Sequence, residues 1–330
     1  VPASGVPVVV MGLGDIGQAI VRAVLARPEL RLVGAIDRHP ALVGKKLSEA
    51  FSSPVLAPEV AIAADGAAAL RAARGGVLLH AAGSRFEEVL PALEAAARAG
   101  VSVVSTCEEL AWPWLRNEEA ADALDRLCEE HNVAVLGTGV NPGFVLDRLP
   151  AVLGQVVGRV RHLRGTRVVD AVTRRPALRR KIGAGMDEDA FHEAAERGEV
   201  GHAGLAESAA LAASGLGLPV DEVDEELVPL VAQEDGPAGT GVRRGQVAGV
   251  HQTARVFAEE REVVRLELSI AIGAEEPRDE LELDADPPVR LTIPGGVAGD
   301  PATVAAVVNA ISAVTELRGL VTVLDLPAGR

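Results

Sequence analysis

Tyrosine is absent from this sequence, and aromatic residues make up only 2% of its 330 positions. Tyrosine-based acid chemistry is thereby excluded, as are the aromatic platforms on which nucleic-acid bases stack. Cysteine is nearly absent. Cys107 and Cys128 are the only two, and they make neither a disulfide framework nor a zinc spacing. A reducing, cytoplasmic setting is expected, and no metal site. Basic charge is short as well: 32 Lys and Arg against 47 Asp and Glu leave a formal net charge of −15. That balance argues against nucleic acid and anionic membrane as partners. Apolar runs are interrupted before they reach the ~20 residues of a membrane span, and no signal-peptide pattern opens the sequence.

What the sequence does have is glycine at meaningful spacing. Val8-Val9-Val10-Met11-Gly12-Leu13-Gly14-Asp15-Ile16-Gly17 is a β-branched apolar run that breaks into Gly-x-Gly-x-x-Gly and then into a helical pattern. Gly12 suits a tight turn, Gly14 a close backbone approach to a pyrophosphate, and Gly17 close helix–strand packing. Asp15 and Ile16 open the helix, whose free N–H groups and dipole favour an anion. A second apolar run, 30–36, ends in Asp37, the spacing at which a carboxylate meets a ribose hydroxyl. Arg38, His39, Lys45 and Lys46 follow where a 2′-phosphate would lie. Asp37 favours NAD and the cations favour NADP, so use of both is expected.

The length suits two domains. Up to about residue 150 strands and helices alternate, which predicts a parallel sheet with helices on both faces, a Rossmann-type domain. Residues 77–81 read as a buried strand ending in His80-Ala81-Ala82-Gly83-Ser84, small residues that let a dinucleotide lie across the sheet edge. Ser84 and Glu87 make a capping box for a helix over 85–99. The strand 101–105 runs into Thr106-Cys107-Glu108-Glu109-Leu110-Ala111-Trp112-Pro113-Trp114. In an extended segment only one of Glu108 and Glu109 would face a cleft, and a carboxylate there can serve as a general acid and base. Asn117 reads as the cap of the next helix. Gly137-Thr138-Gly139-Val140-Asn141-Pro142-Gly143-Phe144 follows a last strand, with Asn141 as N-cap and Pro142 as first helical residue.

Residues 151–330 read as an α+β domain for substrate binding and dimerisation. Alternation over 159–172, 242–257 and 263–272 predicts a mixed, largely antiparallel open sheet with one polar face, and a homodimer is the default for such a surface. Arg174 to Lys181 is a basic cluster suited either to an anion or to a solvated helix face. His202 and His251 stand at element edges. A helix from about 301, starting near Thr303, returns to the first domain by analogy with other two-domain dehydrogenases. The acidic stretch 274–288 reads as a loop or hairpin.

Ser105 to Leu110, Gly137 to Phe144 and Arg174 to Gly185 together make the chain resemble the 2,4-diaminopentanoate dehydrogenase family. That family includes the native amine dehydrogenases and is a branch of the dihydrodipicolinate-reductase-like proteins. The histidine-lysine and Ser-Gly-Thr patterns of a true dihydrodipicolinate reductase are missing. The resemblance implies reversible reductive amination of a small ketone or keto acid with ammonia and NAD(P)H. It places the catalytic carboxylate after the fifth strand, on Glu108 first and Glu109 second. It puts Arg167, His202 and His251 in regions that line the substrate pocket, with Trp112, Phe144 and Thr303 as further candidates. A dehydrogenase of another small amino or hydroxy acid and a non-catalytic NAD(P) sensor are the alternatives.

Overall fold

The computed structural model describes residues 5–51, 60–172 and 174–329. The chain divides into two compact units, Val1–Gly143 together with Ala298–Arg330, and Phe144–Val297. The seam expected near residue 150 thus falls at Gly143–Phe144. No helix among the described residues is long and apolar enough to cross a membrane.

The first unit runs β1 (Val6–Met11), α1 (Asp15–Leu25), β2 (Leu30–Ile36), α2 (Leu47–Ala50), β3 (Ile62–Ala63), α3 (Ala67–Ala72) and β4 (Val77–His80). It continues with α4 (Phe86–Arg98), β5 (Ser102–Ser105), a 3₁₀ turn at Glu109–Ala111, α5 (Trp114–His131) and β6 (Ala134–Gly137). The second unit holds α6 (Arg148–Gly154), β7 (His162–Asp170), α7 (Pro176–Lys181), α8 (Glu188–Glu196) and α9 (Leu205–Gly215). Its remaining strands are β8 (Glu222–Val231), β9 (Val247–Ala258), β10 (Arg261–Ala271), β11 (Arg278–Asp284) and β12 (Val289–Pro294). The chain then re-enters the first unit with α10 (Gly299–Asn309), α11 (Ile311–Val314) and β13 (Gly319–Val321).

In the first unit the strands form one parallel sheet in the order β13-β6-β5-β4-β1-β2-β3. β1 is central, and Val8, Val9 and Val10 are wholly buried, as a strand covered on both faces requires. The chain leaves β1 toward β2 and β3, then comes back to start β4 on the other side. That reversal makes a crevice at the carboxyl ends of β1 and β4, where open α/β sheets bind ligands. The apolar stripe Ile20, Val21 and Val24 seats α1 on the sheet. α10 is tied to α1 through Arg27, which donates to Val308 O and Asn309 Oδ1.

The second unit has a six-stranded sheet, β12-β11-β7-β10-β9-β8, antiparallel throughout except for the β7–β10 pair. Burial alternates residue by residue along β7, β11 and β12. α9, with residues 205–213 all buried, lies on the face that carries Leu163, Leu266, Leu268, Val250 and Val256. The other face carries ion pairs across the strands: Arg255 with Asp224 and Glu226 at 2.9 Å each, and Arg164 with Glu267 at 2.8 Å.

Several local expectations give way to longer-range contacts. Helix α4 begins at Phe86 with Arg85 at the cap and no side-chain cap bond there. The Ser84–Glu87 box therefore does not form its cap, because Glu109 reaches back and accepts the Phe86 N–H at 2.7 Å. Asn141 and Pro142 do not start a helix. Their peptide bond is cis, the chain turns until 147, and Asp147 caps α6 by accepting the Arg148 N–H at 2.6 Å. Glu108 and Glu109 are not extended: Glu108 has φ −66° and ψ −43° and leads directly into the 3₁₀ turn. Asn117 does mark a helix boundary: its non-helical backbone, φ −139° and ψ 47°, divides α5 into a first turn and the longer helix expected after it. The acidic stretch takes the hairpin alternative: it holds β11 and the turn that leads into β11's antiparallel partner β12.

Within the second unit one buried pair ties strands to the exit of the chain. Arg167 and Asp279, 4% and 1% exposed, meet at 2.6 Å. The other Asp279 oxygen accepts the Val297 N–H at 2.6 Å, and Arg167 Nη2 donates to Val297 O at 2.7 Å. Removing one member strands the other charge in a dry interior, which costs about 3–5 kcal/mol. Arg167→Leu is therefore expected to lower the unfolding free energy by about that amount in chemical denaturation. The Arg167→Leu/Asp279→Leu double variant is expected to regain most of the loss; additive losses would contradict the pairing.

Candidate active site

The glycine loop is shaped by contacts that leave no room for a side chain. A Cβ on Gly17 would lie 1.7 Å from Gly12 O, and one on Gly12, at φ +84°, would lie 2.5 Å from Ala81 O. α1 therefore sits directly on the end of β1, and β1 against the end of β4. Gly14 differs: a Cβ there would meet nothing within 4 Å. Its open side and the first-turn N–H groups of α1, which have no partner within the helix, suit an anion. Asp15 and Ile16 belong to that first turn.

Asp37 holds the loop in place. Its Oδ2 accepts the Leu13 N–H and its Oδ1 the His39 N–H, both at 2.7 Å. The carboxylate therefore braces the loop and its own turn as well as facing the crevice. A cavity of about 780 Å³ opens here, lined among others by Gly12, Gly14, Asp37, Arg38, Ala81 and Ala82, a size usual for small-ligand sites. Ile36, Leu70 and Val89 supply apolar wall. These features, a side-chain-free loop over a helix N-terminus and a carboxylate two strands' width from His80, fit a dinucleotide.

Not every expected cofactor residue lines that cavity. His39 turns to its own loop, its Nδ1 accepting the Ala41 N–H at 3.2 Å. Gly17 is packed within the motif, while Asp15, Ile16, Gly83, Ser84, Asn141 and Pro142 stand outside the lining. Lys45 and Lys46 also stand outside, and the Lys46 N–H donates to Glu49 at 3.2 Å. Arg71, at the end of α3, does line it. No spacing rule connects Arg71 to Asp37; only the packing of α3 against β2 brings them to one cavity.

The next loop carries the carboxylates. The Thr106 N–H donates to His80 O at 2.9 Å, extending the β4–β5 pairing, and the Glu109 N–H donates to Ser84 O at 3.3 Å. With its side chain on the Phe86 N–H, Glu109 fixes this turn to α4, where the helix dipole favours a negative charge. Gly137 lets the turn lie on β6, since a Cβ there would be 2.6 Å from Leu110 C. Glu108, half-buried, is the carboxylate that this cap leaves out. Trp112 and Trp114 meet edge to face at 5.4 Å, and Trp114 Nε1 donates to Asp122 at 3.1 Å. Thr303 of α10 lies beside Gly139 in the loop after β6.

Beneath this edge His80 is buried. Its Nδ1 shares a 2.9 Å hydrogen bond with Ser105 Oγ, which also accepts the Cys107 N–H at 3.0 Å. Burial pushes the His80 pKa down to about 4, so the ring is neutral. Burial likewise pushes both cysteines up to about 12, which leaves them inert thiols. Among the described residues no cluster of His, Cys, Asp or Glu is placed to hold a metal ion.

In the second unit the sheet separates the expected substrate residues. Arg167 and Gln252 face α9, one on each side of Leu268 in register. The His202 N–H donates to Gln252 Oε1 at 2.9 Å and its C=O accepts from Gln252 Nε2 at 2.8 Å. Burial, then the charges of Lys181 and Arg167, push the His202 pKa down to about 4. Its buried Nδ1 has no partner among the described residues. His251, one residue before Gln252, points the opposite way and shares a 2.9 Å bond with Ser269 on the ion-paired face. It does not join His202 and Arg167. Phe144, at the start of this unit, is exposed.

The profile of the 2,4-diaminopentanoate dehydrogenase C-terminal domain matches residues 144–330. The chain is 26% identical to the 2,4-diaminopentanoate dehydrogenase of Acetoanaerobium sticklandii over 337 residues, 98% of this chain and 94% of that one. It is 30% identical over 190 residues to the amine dehydrogenase of Streptomyces virginiae, 55% of this chain and 51% of that one. The solved structure of an amine dehydrogenase from Mycobacterium smegmatis has a TM-score of 0.86 to it at 25% identity, covering 99% and 97% of the two chains.

The neutral His80 predicts a pH dependence. Between the ordinary histidine pKa of 6.5 and about 4, the unfolded chain binds a proton that the folded protein does not, so stability falls as pH falls. Above that window the residue contributes nothing. From pH 7 to pH 4 wild type is expected to lose about 3 kcal/mol more unfolding free energy than His80→Asn. Parallel losses in denaturation at the two pH values would contradict a buried neutral ring.

Proposed function

The chain belongs to the 2,4-diaminopentanoate dehydrogenase family, and from that premise we propose that it carries out the reversible reductive amination of a small ketone or keto acid with ammonia. The observation that carries the reading is the division of labour between the paired carboxylates. Glu109 caps α4 through the Phe86 N–H, and this reading assigns proton transfer to Glu108, half-buried on the loop that follows β5. Gly12, Gly14 and the N-terminus of α1 would hold a pyrophosphate, and Asp37 a ribose hydroxyl. A nicotinamide cofactor, when bound, supplies the hydride in the direction of amine formation.

Three tasks remain for the protein. Glu108 as carboxylate takes a proton from ammonium to release nucleophilic ammonia. As carboxylic acid it returns that proton to expel water from the carbinolamine. As carboxylate again it stabilises the cationic iminium carbon that hydride attacks, an electrostatic effect that grows when water is excluded. In the second unit the neutral His202, whose buried Nδ1 has no partner among the described residues, is the substrate contact this reading favours. The charge of Arg167 helps to keep that ring neutral. Trp112, Phe144 and Thr303 stay as candidates for shaping the pocket. The ion-paired sheet face is the proposed homodimer surface, and light scattering is then expected at twice the 34.0 kDa chain mass.

Oxidation of NADH and NADPH across a panel of ketones with ammonia tests the activity. Glu108→Gln is expected to lower kcat about 10²-fold or more while dinucleotide still binds. Glu109→Gln is expected to keep most turnover and to lose about 1 kcal/mol of stability with its weakened cap. Unimpaired Glu108→Gln beside inactive Glu109→Gln would move the role to the neighbour; two active variants would remove the carboxylate from the mechanism.

A further inference from the structure

Several arginines of this protein pair with a carboxylate. Arg161, Arg164, Arg167, Arg255, Arg265 and Arg290 each pair with at least one Asp or Glu, as expected in a chain with 47 acids and 32 bases. Arg38 and Arg71 do not: among the described residues neither side chain has a hydrogen bond or an ion pair. Both line the cavity beside the glycine loop. They arrive there from different elements, Arg38 from the turn after β2 and Arg71 from the last turn of α3.

The acids near them are engaged elsewhere. Both oxygens of Asp37 accept backbone N–H groups, from Leu13 and His39. Asp65 Oδ1 accepts the Ala67 N–H at 3.0 Å. Arg98, the third arginine of the lining, is held by Glu94 at 3.2 Å. Glu88, the remaining acid, stands in the first turn of α4, where the helix dipole offsets its charge. Two guanidinium groups thus line the same cavity as the carboxylate that marks the ribose position, and each presents a planar fork suited to phosphate oxygens.

Resting on the dinucleotide reading above, we propose that Arg38 and Arg71 form a cradle for the 2′-phosphate of NADPH and make it the tighter-bound cofactor. NADH is still accepted. Each Asp37 oxygen has a second lone pair for a ribose hydroxyl, but NADH leaves both arginines without an anion. The sequence pointed to Lys45 and Lys46 for this role; the cavity takes Arg71 in their place.

Equilibrium titration of the full chain with NADPH, NADH, 2′,5′-ADP and 5′-AMP tests the cradle without any turnover. NADPH is expected to bind at least about tenfold tighter than NADH, and 2′,5′-ADP tighter than 5′-AMP by a similar factor. Arg71→Ala and Arg38→Ala are each expected to cut those ratios about tenfold, about 1.4 kcal/mol, and Arg71→Lys to restore part of the preference. Thermal melting of each variant controls for folding, since both side chains are exposed. Equal weakening of both dinucleotides in Arg71→Ala, or a wild type that prefers NADH, overturns the cradle and leaves the dinucleotide site standing. Binding of none of the four overturns the site itself.

Discussion

The contact on which the first unit depends is the seating of α1 against Gly12 O, where position 17 has no space for a Cβ. Because the helix begins that close to the strand end, its N-terminal N–H groups face the crevice at the point where the strand order reverses. Everything placed around the crevice is placed relative to this junction. Asp37 braces it from β2, Ala81 backs it from β4, and the loops after β4 and β5 are joined to each other beside it. A looser approach would leave the same residues in the sequence without a common centre.

Acid excess takes on a structural meaning in this light. Carboxylates accept main-chain N–H groups at one junction after another: Asp37 from Leu13, Glu109 from Phe86, Asp147 from Arg148, Asp279 from Val297 and Asp125 from Leu320. Each satisfies a donor that a helix start, a strand start or a turn would otherwise leave unpaired, and charged acceptors make the stronger bonds. Aspartate and glutamate thus serve as joints here, and Glu108, the carboxylate proposed for proton transfer, is the sequence neighbour of one.

The second unit uses the two faces of its sheet to keep two chemistries apart. One sheet face is covered by the alanine-rich α9 and holds the buried Arg167–Asp279 pair and the Gln252 clamp on His202. The other is a lattice of arginines and acids, each pair of which adds little stability at the surface but fixes the cross-strand register. A histidine belongs to one chemistry or the other by a single step in sequence, as His251 and Gln252 illustrate.

The sequence by itself determined the parallel sheet, the glycine loop, the site of Asp37, the mixed second sheet and the family likeness. Those features rest on short-range rules: glycine spacing, β-branched runs and period-two alternation are written in neighbouring residues. Only the tertiary structure decided that Glu109 and not Ser84 caps α4, that Asp147 and not Asn141 starts α6, that Arg71 joins Arg38 at one cavity, and that His251 turns away from His202. Each of these is a choice of partner across many residues of chain or across a sheet. Such a choice is settled by which groups packing brings within hydrogen-bond reach, a quantity that local pattern does not contain.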